Sequence, residues 1–406
     1  MCKKMKVLVL SGWFPYPPDN GSKIRAFNLI RQMASRHEIT LISFSDDLPG
    51  HSERKAFLRP YCRQVHIVPS IHFNPHRWRA ILGALSLTPR FVIDTFSVEM
   101  QQAIEHLTKE NDFDVLIALE GTAFYAKDIK GPLKVVDDLQ LASWRDAFSG
   151  QLGLMARLRY GPAWWKFKRM VRQFVDAFDA YVVVSDRERE HIEAVVPLAL
   201  SKPSAVIPNG VDWGSYVGDF GAPRPESLVF SGALTFFANL WAMEFFLRDI
   251  HPLIKRKRPG VVLRITGKTT GVPLEKLPKR DGVIFTGYLD DIRPCIAQSW
   301  VSVVPLNIGG GTRLKILEAM ALGTPVVSTS KGAEGLEVTP GEDILIADEP
   351  TEFADAVLRL LDDQALRAKL AAHGRRLVKE RYSWETCAQK LEQLLCQVVE
   401  QRKGIE

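Results

Sequence analysis

The sequence predicts an α/β protein made of two doubly wound domains in tandem, and three observations predict it. The chain has 406 residues, more than one hydrophobic core ordinarily serves. Through its first half, short and almost wholly apolar segments alternate with segments whose apolar residues recur at helical spacing. Strands of that kind are buried on both faces, as in a parallel sheet covered by helices. The alternation lapses between residues 198 and 226, a stretch rich in Pro, Gly and Ser, and then starts again. A connection between domains has that composition.

The first domain opens on the strand KVLVLSG, a loop WFPYPPDNGSK, and a helix IRAFNLIRQMASR whose Ile24, Phe27, Ile30 and Ala34 keep helical spacing. Strands EITLISF, QVHIVP, FDVLIALE, LKVVDD and AYVVVSD follow, with helices between them. The second set is SLVFSG, VVLRITG, GVIFTG, SWVSVVP, TPVVST and DILIA. After a Tyr-Ser-Trp break, a last amphipathic helix places Leu391, Leu394, Leu395 and Val398 on one face. That stripe needs a surface to cover it, so the helix is expected to pack back toward the first domain. The resulting division is residues 1–205, 206–382 and a closing helix over 383–406. Sheets of this type bind ligands beyond the carboxyl ends of their strands, and two in succession invite a cleft between them.

Hydrophobic residues make up 46% of the chain and charged residues 25%, an ordinary globular balance with apolar material for two cores. The net charge of +6 suits an anionic partner without naming it. The cations are not gathered into one stripe and no reader motif is present, which argues against nucleic acid. Five scattered cysteines form no metal spacing and no disulfide framework, the usage of a reducing compartment. The apolar run near the start is only about seven residues long and no small-residue cleavage site follows, so it reads as a buried strand rather than a signal peptide. No segment approaches the ~20 apolar residues of a spanning helix. A cytoplasmic protein is expected, peripheral contact with the inner face of a membrane remaining open.

The most informative stretch is NIGGGTRLKILEAMALGTPVVST, from Asn307 to Thr329. It follows the strand SWVSVVPL, so it lies where a ligand is expected. The first amides of a helix lack internal partners and carry partial positive charge. Gly310 and Gly311 let a ligand approach the backbone, and Thr312 leads into the helix. Arg313 brings a planar fork for two phosphate oxygens, Lys315 a compact positive charge. Glu318 stands one turn further on. It either pairs with Lys315 at i,i+3 or accepts hydrogen bonds from a ribose. A phosphate pair at the helix start and a ribose one turn away describe one nucleoside diphosphate. Other nucleotide folds fail simple checks. TGKTTG around Gly267, Lys268 and Thr269 ends like a P-loop, but the required earlier glycine is Val262. No G-x-G-x-x-G fingerprint follows the first strand, which removes the usual hydride-transfer enzymes.

Taken together, these segments resemble the retaining GT-B glycosyltransferases of the large nucleotide-sugar-dependent group, glycosyl transferases group 1 or family 4 type. VIPNGVD (Val206 to Asp212) resembles the group's linker signature, and VIFTGYLDDIRPCIAQSWVSVVPL its base-binding region. GTRLKILEAMALGTPVVST resembles its diphosphate and ribose region, and YSWE the start of its closing helix. The resemblance implies two Rossmann-like domains, a nucleoside-diphosphate-sugar donor and a glycan or lipid-linked acceptor. It further suggests work in polysaccharide or cell-envelope synthesis. Two departures mark the chain. The group usually has two acids separated by seven residues; Glu318 matches the second, and Gly310 stands at the first. The Arg and Lys usual after the first strand of the second domain are replaced by Ala233 and Ala238. That loop instead resembles a subgroup with a Gly and a later Asn, here Gly232 and Asn239, which also carries the GTRLKILEAM pattern. The cationic work is therefore assigned to Arg313 and Lys315.

Sugar transfer breaks an anomeric C–O bond and builds charge on the leaving diphosphate, which preorganised cations stabilise directly. No metal or other cofactor is expected. Asp112 and Asp114 have the spacing of a metal motif but immediately precede a buried strand, where a strand-entry turn is the simpler role. Gly21 opens the first helix, either approaching the donor phosphate or following a plain Asn20 cap. Arg25 on its first turn is a candidate for phosphate or acceptor, and Glu120 for the acceptor side. The histidine that related enzymes carry after the strand LKVVDD is absent, which leaves Asp137 and Asp138, with Asp138 as the candidate catalytic carboxylate. Tyr288 and Leu289 are placed to line the base, and Gly267 to allow close approach. The segment RLRYGPAWWKFKRMVRQF (Arg157 to Phe174) is either a helix on an anionic membrane surface or one packed on the first domain. Two other functions share the frame: epimerisation of a nucleotide sugar, and nucleotide-sugar binding without catalysis.

Overall fold

The computed structural model describes residues 3–46, 51–119, 121–137, 139, 154–278, 280–309 and 312–403, without the side chains of 51–53 and 154–160. Its residues divide into two units. One is Met1–Pro208 with Cys387–Glu406, the other Asn209–Thr386.

The apolar segments of the first unit become seven parallel strands. They are β1 (Lys6–Ser11), β2 (Glu38–Ser45), β3 (Gln64–Pro69), β4 (Val115–Ala118), β5 (Leu133–Val136), β6 (Ala180–Val183) and β7 (Ser204–Val206). Their spatial order is β3-β2-β1-β4-β5-β6-β7. Val7, Leu8, Leu10 and Val115 to Ala118 have almost no exposure, as strands covered on both faces require. Asp114 accepts the amide of Lys6 at 2.7 Å, tying the entry of β4 to that of β1, the strand-entry role its position suggested. The second unit has six parallel strands: β8 (Arg224–Ser231), β9 (Val262–Thr266), β10 (Val283–Gly287), β11 (Ser299–Val304), β12 (Val326–Ser328) and β13 (Leu345–Ile346). Their order is β10-β9-β8-β11-β12-β13.

Both sheets reverse their winding once, between β1 and β4 in the first and between β8 and β11 in the second. The loops leaving the two strands at such a reversal part to opposite sides and leave a crevice at their carboxyl ends. Each unit therefore has one topologically favoured ligand position.

The stretch 198–226 is not all connection. Ser204–Val206 adds to β6 as the edge strand of the first sheet, and β8 already starts at Arg224. The division between units accordingly falls after Pro208 rather than at 205. The closing segment forms the helix Trp384–Lys403. Ser383 caps the helix by accepting the amide of Thr386 at 3.2 Å, and Leu391, Leu394, Leu395 and Val398 are buried. Within the first unit Glu392 pairs with Arg36. Cys62, Cys295 and Cys387 are thiols, and Cys396 is disulfide-bonded. A single bridge leaves no spacing signal in a sequence.

The basic, aromatic segment 157–174 lies in the helix Leu154–Ala177. Phe167, Met170, Val171 and Phe174 are buried in the first core and Trp164 packs against it, while Trp165 is exposed. Most of its aromatic surface thus serves packing. No helix among the described residues is long and apolar enough to cross a membrane.

Candidate functional site

The crevice of the second sheet lies between the loop leaving β8 and the loop leaving β11. Gly232 follows β8 at φ +154°, and a Cβ there would sit 2.8 Å from Lys315 Nζ and 2.8 Å from Asn239 Nδ2. Only glycine leaves that space open. Asn239 belongs to the helix Phe237–Phe245; its Nδ2 donates to the Ala233 carbonyl at 2.8 Å, which fixes the amide's orientation. Its Oδ1 then accepts from Lys315 Nζ at 2.7 Å. The ammonium also lies 4.1 Å from the centroid of the Phe230 ring, a cation–π contact at the end of β8.

Lys315 reaches this point from the helix Leu314–Ala321, whose Ile316, Leu317, Ala319 and Met320 are buried in the second core. The helix starts one residue beyond Arg313, which is its N-cap residue. Arg313 is buried and its Nη2 donates to the Gly309 carbonyl at 2.8 Å, so it braces the turn that enters the helix. Thr312 Oγ1 accepts the amide of Asn209 at 3.4 Å. Gly310 and Gly311 lie outside the described residues.

Lys315 and Glu318 do not pair with each other. Glu318 Oε1 instead accepts the hydroxyl of Tyr216 at 3.0 Å, from the 3₁₀ turn Trp213–Tyr216. Burial pushes the Glu318 carboxyl above the usual range, while the Tyr216 hydroxyl and Lys315 pull it back. Burial, with the added repulsion of Arg313, lowers Lys315 to about 7; Glu318 opposes this. Arg313 is likewise lowered, by burial first. Two cations held in a poorly solvated crevice are destabilised until an anion arrives, which is the electrostatic condition of an anion site.

Gly267 ends β9 at φ +112°. A Cβ there would meet the Gly232 carbonyl carbon at 2.6 Å and the Ala233 nitrogen at 2.7 Å. The close approach it allows is therefore between two backbones, and it sets the position of the Gly232 loop. Gly267→Ala is expected to lose about 1–3 kcal/mol of stability through backbone displacement, read as a lower urea midpoint. Tyr288 is 71% exposed and Leu289 half-buried, both just past β10.

In the first unit Gly21 opens its helix under the cap of Asn20, whose Oδ1 accepts the Lys23 amide at 3.1 Å. Arg25 does not face a ligand. It is buried, with Nε and Nη2 on the two oxygens of Asp137 at 2.9 and 2.6 Å and Nη1 on the Ile207 carbonyl at 2.9 Å. This corrects its assignment to phosphate or acceptor and also withdraws Asp137 as an available base. Asp138 and Glu120 lie outside the described residues. Tyr216 and Phe230 were missed by sequence reasoning. Tyr216 follows the VIPNGVD segment by only a few residues, which is the one signal that could have found it.

Residues 225–363, within the second unit, match the family model Glycosyl transferases group 1. A Klebsiella pneumoniae protein described as an uncharacterized 44.6 kDa protein in the cps region is 21% identical over 93% of this chain and 96% of its own length. LpsE of Rhizobium meliloti, a lipopolysaccharide core biosynthesis glycosyltransferase, is 32% identical over 36% of this chain and 46% of its own. The crystal structure of Anabaena HepE in complex with UDP and glucose superposes with a TM-score of 0.66 at 15% identity, covering 97% of this chain and all of that one. The fold is thus that of two parallel-sheet, Rossmann-like domains, shared with GT-B glycosyltransferases. Residues 225–363 thus carry a domain that matches glycosyl transferases group 1.

Proposed function

We propose that the protein transfers a sugar, with retention at the anomeric carbon, from a nucleoside diphosphate sugar to a glycan or lipid-linked acceptor in cell-envelope polysaccharide synthesis. One observation carries the donor assignment. Lys315, Asn239 and the Cβ-free face of Gly232 converge at the winding reversal of the second sheet, and Glu318 stands one turn further along the same helix. The diphosphate lies against Gly232 and Lys315, and Arg313 holds the turn beside it. Glu318 accepts the ribose hydroxyls, exchanging its bond from Tyr216 or sharing it. The relatives support the setting: one is encoded in a cps region, another acts in lipopolysaccharide core synthesis, and HepE binds UDP.

In this reaction the anomeric C–O bond breaks and its electron pair passes to the β-phosphate oxygen. The acceptor hydroxyl attacks from the same face, and its proton goes to that leaving oxygen. Lys315 stabilises the charge as it develops, so no metal is assigned.

A panel of nucleoside diphosphate sugars, read by released nucleoside diphosphate with and without envelope-lipid extract, tests the proposal. Release from one donor, accelerated by acceptor, is expected; no release from any donor in either condition overturns it. Glu318→Gln is expected to raise donor KM about tenfold with kcat nearly unchanged, the signature of a lost ground-state contact worth ~1.4 kcal/mol.

A further inference from the structure

The crevice at the winding reversal of the first sheet is an aromatic pocket. Its cavity of about 330 Å³ is bounded by the loops after β1 and β4 and lined by Trp13, Phe44, Phe73, Phe91, Phe124 and Tyr125. No Asp, Glu, Asn, Gln, Lys or Arg is among its described lining residues. Its polar side chains are Ser70, His72, Thr95, Thr122 and Tyr125. The last three hydroxyls already donate to backbone carbonyls, and His72 pairs with Asp46. A sugar held there would compete for partners that a hydrocarbon does not need.

One wall of the pocket is a helical hairpin, Trp78–Gly83 and Arg90–Thr95, which supplies Phe91, Val92 and Thr95. Its outer side is apolar and exposed. Leu85 is 89% and Trp78 68% exposed, and Ile81, Leu82 and Leu87 are exposed with them. Contiguous apolar exposure of this kind marks a binding surface. Its charges select the partner. Residues 71–95 contain Arg77, Arg79 and Arg90 against one acid, Asp94, which is buried and accepts from Arg77 at 3.1 Å. Lys166 Nζ donates to the Ala84 carbonyl at 2.6 Å and joins the hairpin to the helix Leu154–Ala177. The exposed Trp165, Arg169 and Arg172 of that helix extend the surface. Asp176, on the same helix, and Asp46, paired with His72 at 3.1 Å, are the exposed acids nearby. Arg77, Arg79, Arg90, Arg169 and Arg172 therefore leave the surface cationic, and tryptophan and leucine among cations complement an anionic bilayer.

We propose that this hairpin docks on an anionic membrane and that the pocket behind it takes the hydrocarbon part of a lipid-linked acceptor. The acceptor assignment rests on the transfer reaction proposed above and narrows its acceptor to a lipid.

Co-sedimentation of the full chain with vesicles tests the surface. Binding is expected to phosphatidylglycerol–phosphatidylethanolamine vesicles and not to phosphatidylcholine. Leu82→Asp/Leu85→Asp should lower it at least tenfold, and Leu200→Asp, an exposed site on another turn, should not. Calorimetry tests the pocket. Dodecyl phosphate should bind where inorganic phosphate does not, and Val92→Trp, or the milder Val92→Phe, should weaken it at least tenfold with vesicle binding intact. Absent vesicle binding, unchanged binding in the double Asp variant, a hairpin that instead mediates dimers, or equal affinity for inorganic phosphate overturns the proposal. Neither measurement uses a sugar donor, so a failed donor panel and a failed docking surface remain separate results.

Discussion

Lys315→Met lowers kcat/KM for donor turnover about 10²–10³-fold, the range for removing one preorganised charge from a transition state. The substitution keeps the length of the side chain and removes its charge. The new thioether lies against Phe230, a favourable neighbour for sulfur. Loss of activity is therefore not a folding defect, and the pH dependence provides the check. Burial lowers the Lys315 ammonium to about 7 in the free protein. A diphosphate beside Nζ favours the charged form, so donor binding takes up a proton above that pH. Donor affinity is full below about pH 7 and falls as pH rises through it, until the pKa of the bound state is passed. Donor KM thus climbs on the alkaline side in the wild type and is flat there in Lys315→Met. The stability sign runs the other way. A lysine whose folded pKa is lowered opposes folding fully below that pKa, and the penalty fades as pH rises toward its unfolded value of about 10.4. The variant should accordingly be no less stable than the wild type at about pH 6. An alkaline rise in KM that survives the substitution would sink the assignment of Lys315 to the diphosphate.

How much of this was legible in the sequence depends on how local each signal is. The strands were legible because burial on both faces forces continuous apolar runs such as KVLVLS and VLIA. Ser204–Val206 was not, because three residues among prolines and serines carry no period. Lys315 and Glu318 were legible because one helix turn fixes their spacing. Their pairings were not: Asn239, singled out only by resemblance, and Tyr216 lie 76 and 102 positions away, and only the fold brings them in. Arg25 was misassigned for the same reason. A cation on the first turn after a strand reads like a phosphate ligand, yet its carboxylate stands 112 positions on. The exposed hairpin was invisible because apolar residues in a sequence are read as core, and exposure is a property of the fold alone.

Arg25→Ala is expected to cost about 3–5 kcal/mol of stability, because it leaves the Asp137 carboxylate buried without its counter-charge. The arginine holds that carboxylate with two nitrogens and, through Nη1, reaches the Ile207 carbonyl just beyond β7. It thereby joins the first helix, the end of β5 and the last residues before the second unit. Removing it strands both Asp137 oxygens and the Ile207 and Pro208 carbonyls at once, in a region where both side chains have almost no exposure. Urea unfolding followed by fluorescence should register the loss. Arg25→Met combined with Asp137→Leu separates a bracing role from a catalytic one. Replacing both partners by apolar groups restores most of the stability that either single change removes. If Asp137 only completes this pair, the double variant also recovers turnover. A folded, stable double variant with no transfer activity would instead return Asp137 to the chemistry.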